Sequence, residues 1–263
     1  MKKSINFFLF IVLFIASHAY VSDKTITSKV IESKNISCLL ENDEANTLFA
    51  FDLDDTVFYG KNSLSRTNWF ETSLKNMLAK GQTKEEAFKT LLPFYVVVQD
   101  HAKLRIIDNR LPQIFKTLKE KGSTLIGLTA RTPALYSSTV EKLHSMNISF
   151  SKNDFLNTPY SFDTNKQVWL KDSIIFCNGS NKGKMLKSFL KQAKEKGVTF
   201  KKVIMIDDTK RHVIDVQNEL SSLDIDYLGI HYTGAENKKL SFSNKQAKKD
   251  LKKIINNFIS SIE

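Results

Sequence analysis

The chain predicts an α/β fold, a doubly wound parallel sheet with helices on both faces, and three observations carry that expectation. The runs Leu48-Phe49-Ala50-Phe51, Leu125-Ile126-Gly127-Leu128 and Val203-Ile204-Met205-Ile206 are apolar throughout. A strand without polar alternation is one covered on both faces, the condition of a parallel sheet. These runs alternate with segments of helical periodicity, as βαβ units do. Each run is also followed closely by a residue with chemistry to offer: Asp52, Thr129 and Asp207. Right-handed crossovers place the carboxyl ends of such strands along one edge, where ligands bind in open α/β sheets.

Taken in order, Lys2 and Lys3 precede the apolar run Ile5 to Ile15, and Ser17-His18-Ala19 follows with small residues. This reads as an export signal over residues 1 to 19, cleaved near Ala19, leaving a mature chain of 20 to 263 in the periplasm or outside the cell. The apolar run is shorter than the roughly 20 residues needed to span a bilayer, so no membrane insertion is expected after cleavage. Residues 20 to 46 are polar and weakly patterned, apart from Val30 and Ile31. The first strand is expected from Thr47 to Leu53. After the acidic run that follows, Trp69, Phe70, Leu74, Met77 and Leu78 recur at helical spacing up to Gly81. Thr83-Lys84-Glu85-Glu86 is a capping box that opens a short helix, expected to stop at Pro93, with Phe94 to Val98 extended beyond it. The stretch between Val57 and Ile107 reads as a small helical cap, about residues 58 to 107, inserted over the strand edge.

Pro112 in a first turn, Ile114, Phe115 and Leu118 on one face and Gly122 at the end mark the next helix. The strand Ser123 to Thr129 leads to a helix from about Ala134 to Ser145. Ile148 to Phe150 and Ile174 to Cys177 read as short strands, and Lys182 to Lys196 as a helix. Val203 to Ile206 ends in Asp207-Asp208 and is followed by a helix, Val213 to Leu220, and a strand, Tyr227 to His231. Leu251, Ile254, Phe258 and Ile259 place one apolar face on a terminal helix.

The formal charge of +11 falls by two when Lys2 and Lys3 leave with the signal. Among the basic residues only Arg66, Arg105, Arg110, Arg131 and Arg211 are arginines. Arginine is the residue that reads phosphates and bases bidentately, so a nucleic-acid partner is not expected. The lysines, including Lys245 to Lys253 on the terminal helix, read as a solvated surface. An exported chain permits a bridge between Cys38 and Cys177, but Cys177 adjoins the apolar Ile174-Ile175-Phe176 and reads as a core thiol.

Asp52 and Asp54 follow the first strand where the chain turns, so both can face one crevice; alone, the pair reads first as an acidic turn. Downstream residues add to it. Asp52-Leu53-Asp54-Asp55-Thr56, Thr129 after its apolar strand, Lys182 in Lys182-Gly183-Lys184-Met185-Leu186, and Asp207-Asp208 after Ile206 stand in order. Together they resemble the four signature motifs of the haloacid dehalogenase (HAD) superfamily of phosphohydrolases and phosphotransferases, over residues from about 47 to 231. The resemblance implies a Rossmann-like sheet with a cap. It implies Asp52 as nucleophile, forming an aspartyl-phosphate, and Asp54 as general acid and base. It also implies Mg²⁺ held by Asp52, the backbone carbonyl of Asp54, Asp207 and Asp208, with Thr129 and Lys182 on the phosphate oxygens. The expected partner is a small phosphorylated molecule, a phosphomonoester. A phosphotransferase, or a binding or host-interaction protein that keeps the fold without turnover, are the other readings.

Rival roles attach to several residues. Asp55 caps the turn. Thr129 doubles as an N-cap for the following helix. Lys184 competes with Lys182, which the Lys-Gly-x-x-Leu pattern favours. Arg131 reads as solvated, or as a phosphate contact. His101, His212 and His231 lack paired zinc-site spacing and read as surface or packing residues. Asp215 is a weak candidate to support the metal.

Overall fold

Eight strands join in one sheet in the computed structural model, which describes residues 26–42, 44–152, 154–157, 159–162, 165–235 and 243–262. The export signal expected at 1 to 19 lies outside them. In chain order the strands are β1 (Ser28–Ser33), β2 (Thr47–Phe51), β3 (Phe58–Gly60), β4 (Leu104–Ile106), β5 (Thr124–Thr129), β6 (Tyr160–Ser161), β7 (Trp169–Lys171), β8 (Ile174–Phe176), β9 (Lys202–Asp207) and β10 (Asp226–Tyr232). The helices are α1 (Thr67–Ala79), α2 (Lys84–Asp100), α3 (Leu111–Glu120), α4 (Tyr136–Ser145), α5 (Asp154–Asn157), α6 (Lys182–Glu195), α7 (Lys210–Leu220) and α8 (Asn244–Ile262).

The sheet order is β1-β10-β9-β2-β5-β8-β7-β6, parallel from β1 to β8 and antiparallel at β7 and β6. This is the doubly wound α/β sheet that the apolar runs predict. Phe49 and Phe51 join one core cluster with Phe115 of α3 and Leu143 of α4. Leu48 and Ala50, between them, join the other with Phe189 of α6 and Val213 of α7. Successive residues of one strand thus bury toward opposite helical layers, each large side chain contributing roughly 1.5–3 kcal/mol of burial.

Several elements depart from the sequence expectation, among them the strands β3, β4, β6 and β7 and the short helix α5, which it did not include. Residues 28 to 33 form the edge strand β1 on β10, where only Val30, Ile31 and Ser33's neighbourhood give the strand partial cover. A half-exposed edge strand has little apolar pattern to read. The capping box at Thr83 and Glu86 is present, but α2 runs through Pro93 to Asp100 instead of stopping, and Phe94 to Val98 are helical. Pro93 is exposed, so the helix loses one hydrogen bond where water can replace it. Leu91, Val98 and the partly buried Tyr95 recur at helical spacing and hold the later turns inward. Ile148 to Phe150 forms no strand: Ser151 meets Leu125 by backbone and side chain, but the ladder goes no further. Ile148 and Phe150 are nevertheless core.

The helices α1 and α2 lie between the two strands of a hairpin, β3 and β4, whose register pairs Phe58 with Ile106 and Gly60 with Leu104. Leu64, Trp69 and Val98 of this insertion pack with Ala247, Leu251 and Ile254 of α8. The terminal helix therefore lies on the insertion. Ile259, expected on its apolar face, is exposed, and the side chain of Phe258 is outside the described residues.

Candidate active site

The neighbouring strands β5, β2 and β9 bring Thr129, Asp52 and Asp207 to their carboxyl ends. The backbone N–H of Asp52 donates to Ile206 O at 2.9 Å, which extends the β2–β9 ladder to the point where the acidic residues begin. The chain then turns tightly, with Leu53 O accepting from Thr56, Val57 and Phe58. Asp55 adopts a left-handed φ of 61° in that turn, a conformation Asp tolerates. It also receives Thr67 Oγ1 at 2.6 Å, tying the turn to the first residue of α1.

Lys182, the first residue of α6, extends its buried ammonium between two carboxylates: Nζ lies 2.5 Å from Asp52 Oδ1 and 2.7 Å from Asp207 Oδ2. Lys184, its rival, is exposed on the same helix, where its backbone N–H donates to the capping Asn181 Oδ1 at 2.9 Å. Thr56 Oγ1 donates to Asp52 Oδ2 at 3.1 Å and accepts from Asp208 N at 3.0 Å, so the two acidic segments are stitched together. Thr209 N donates to Asp207 Oδ1 at 2.8 Å. His212 Nδ1 lies 3.2 Å from both Asp207 oxygens, a partner read from sequence only as a surface or packing residue. Its signal was position alone, in the first turn of the helix that follows the β9 acidic pair. Asp215 pairs with Arg211 at 3.4 Å and is not among the clustered carboxylates.

One oxygen from each of Asp52, Asp207 and Asp208 lies within 4.8 Å of the others. Octahedral Mg²⁺ wants oxygen ligands about 3 Å apart when adjacent and about 4 Å apart when opposite, so this donor set fits after a small contraction. The electrostatics agree. Burial opposes the charge on Lys182, but Asp207 and Asp52 outweigh it and hold the amine protonated. Burial also pushes Asp207 up, yet Lys182 and His212 prevail and keep it below the usual carboxylate range. Asp52 stands well above that range, because burial and the charges of Asp207, Asp208 and Asp54 exceed the pull of Lys182. One ammonium among crowded carboxylates leaves negative charge to spare, which a divalent cation would offset.

Asp54 is placed differently from the other acids. Its carboxylate is outside the triad, and both its oxygens accept from Arg131: Nε to Oδ2 at 2.9 Å and Nη2 to Oδ1 at 2.8 Å. Arg131 is buried, with its guanidinium 4.9 Å from the Phe58 ring centre, so the expectation of a solvated arginine fails. The turn at Ala130 explains this. Arg131 N donates to Thr129 Oγ1 at 3.2 Å, and Asn178 and Gly179 bind the carbonyls of Arg131 and Ala130, returning the side chain beneath the insertion. Thr129 itself is fully buried at the end of β5 and caps no helix; Thr132 takes the capping position, over a 3₁₀ turn, Pro133–Leu135. A cavity of about 250 Å³ beside Phe150, His144 and Asp172 lies near the start of β5, away from this edge.

Gly183, next to Lys182, lets α6 approach α7. A Cβ there would stand 2.5 Å from Asp215 O, a backbone atom that cannot swing aside. Gly183→Ala is expected to lower stability by about 1–3 kcal/mol through overpacking, measured by chemical denaturation. Unchanged stability would show the α6–α7 contact to be loose. The two cysteines are free, Cys38 half-buried and Cys177 fully buried, as the apolar setting of Cys177 suggests. Burial pushes the Cys177 thiol up to about 12. At pH 8 a disulfide reagent should therefore label Cys38 slowly and reach Cys177 only on unfolding, countable by mass spectrometry.

Comparison with known proteins places the chain. A family model described as "Protein of unknown function (DUF2608)" matches residues 29–260. The chain belongs to that family. A protein of Chlamydia trachomatis serovar D named "Putative outer membrane protein" is 30% identical over 215 residues, 82% of this chain and 79% of the relative. A Chlamydia muridarum protein of the same name is 27% identical, over 86% and 83% of the two chains. An uncharacterised Rickettsia prowazekii protein is 24% identical, over 89% and 86%. Among solved structures, the HAD domain of the effector protein Lem4 from Legionella pneumophila, an inactive mutant, matches at 14% identity with a TM-score of 0.39, covering 79% of this chain and 100% of that one. No helix among the described residues is long and apolar enough to cross a membrane.

Proposed function

We propose that this protein is an exported, Mg²⁺-dependent phosphatase that hydrolyses small phosphomonoesters through an aspartyl-phosphate on Asp52. The observation that carries the reading is the buried Lys182 ammonium set between Asp52 Oδ1 and Asp207 Oδ2 at the ends of adjacent parallel strands. A lysine that served packing alone would not be held where a nucleophilic carboxylate and an anionic phosphate would meet. The order of motifs in the sequence supports the same reading, and the names of the chlamydial relatives agree with export.

In this mechanism a carboxylate oxygen of Asp52 forms a bond to phosphorus as the ester P–O bond breaks. Mg²⁺, held by Asp52, Asp207 and Asp208, would supply charge that offsets the phosphoryl oxygens. Lys182 and Thr129 hold those oxygens, while Thr56 and Lys182 orient the nucleophile. The leaving oxygen takes its proton from Asp54, one of whose oxygens exchanges its contact with Arg131 for that proton while the other keeps the arginine. Asp54 then removes a proton from the water that attacks phosphorus and frees Asp52. The test is hydrolysis of a generic aryl phosphate by the purified mature chain. Turnover that requires Mg²⁺ and stops on chelation is the expected result; no turnover, or turnover indifferent to chelation, overturns the reading.

A further inference from the structure

Gln99 lies near the end of α2, on the insertion, yet it is buried and shares a hydrogen-bond donor with the proposed acid and base of the core. Arg131 Nη2 has two protons, one directed to Asp54 Oδ1 at 2.8 Å and the other to Gln99 Oε1 at 2.9 Å. Gln99 Nε2 donates to Ser65 O at 3.1 Å. The orientation of the amide follows from these partners: reversed, it would set N–H against N–H at Arg131 and oxygen against oxygen at Ser65. Arg131 Nη1 adds Thr139 Oγ1 at 3.2 Å, so the guanidinium is fixed from the core by Asp54 and Thr139 and from the insertion by Gln99. A second tie holds the same end of α2, where Lys142 of α4 donates to Gln99 O at 2.6 Å and Asp100 O at 2.7 Å.

We propose that Gln99 is a positioning residue, which sets the orientation of the Asp54 carboxylate through Arg131 and so makes that orientation depend on docking of the insertion. Without Gln99 one Nη2 proton loses its acceptor, and the guanidinium, still gripping Asp54 by two bonds and held beyond it by Thr139, can swing together with that carboxylate. Asp54 then samples directions that do not meet the leaving oxygen. The phosphate-holding groups, Lys182 and Thr129, have no contact with Gln99, so substrate binding is spared. This rests on the phosphatase reading, and the test separates the two.

Three full-length chains are compared on an aryl phosphate with Mg²⁺. Gln99→Leu is expected to lower kcat about tenfold or more with KM within about twofold, the mark of lost orientation. Gln99→Glu keeps an acceptor for Arg131 while losing the donor to Ser65, and should recover part of the lost kcat. Equal impairment of the two variants, or a loss confined to KM, overturns the proposal. Should the wild type show no turnover, the phosphatase reading fails and hydrogen exchange decides the coupling. Gln99→Leu should then speed exchange across the turn at 52–57 as well as along α2, whereas unchanged protection at 52–57 overturns it.

Discussion

Asp52→Asn is expected to lower turnover of an aryl phosphate by about a thousandfold or more while the protein stays folded. The amide has nearly the shape of the carboxylate; its one oxygen can accept from Lys182, and its NH2 would face Thr56, whose hydroxyl can turn to accept. What it loses is the lone pair at full negative charge that attacks phosphorus. Stability should hold, because Lys182 keeps Asp207 as its anion and one charge leaves a crowded, buried group in which Asp52 already stands above the usual carboxylate range. The same substitution turns one of the three clustered carboxylates into a neutral amide, so the thermal stabilisation that Mg²⁺ gives the wild type should shrink along with activity. Measuring kcat and the Mg²⁺-dependent Tm shift on one preparation separates a missing nucleophile from a misfolded chain. Activity in Asp52→Asn equal to wild type would remove Asp52 from the chemistry.

The parts of the fold that were legible from sequence are those where a local pattern reports burial directly. β2, β5 and β9 are apolar on both faces because both faces are covered, and their ends carry Asp52, Thr129 and Asp207. β1 escaped because an edge strand with one mostly exposed side has no such pattern. α2 was cut short at Pro93 because the cost of proline depends on whether the orphaned carbonyl meets solvent, which only the packed helix reveals. At the site, Lys182 was separable from Lys184 by motif, and the structure gives the reason: one helical position enters the crevice and a position two residues on points away. Arg131, His212 and Gln99 were illegible as partners because their contacts cross 77, 5 and 32 residues of chain and depend on the direction of a single turn or helix. Composition cannot say where a long side chain ends.

Arg131→Met should destabilise the protein by about 3 kcal/mol in chemical denaturation, toward the lower end of the range for breaking a buried ion pair. Methionine reproduces only the aliphatic stem of the side chain, and the guanidinium stacked over Phe58 is lost with the charge, so the loss reports on that contact together with the hydrogen bonds. Asp54 would be left without either N–H donor, and Gln99 Oε1 and Thr139 Oγ1 would each lose theirs. The Asp54 side chain is 20% exposed, so water can return to it in part and the penalty should fall short of that for a sealed pair. Converting the stranded acid in the double variant Arg131→Met, Asp54→Asn removes the uncompensated charge and should recover at least half of the loss. Recovery of that kind would show that the arginine's main task in the resting protein is to balance Asp54 beneath the insertion. No recovery would move the energy to Gln99 and Thr139, making the guanidinium chiefly a brace between α2 and α4.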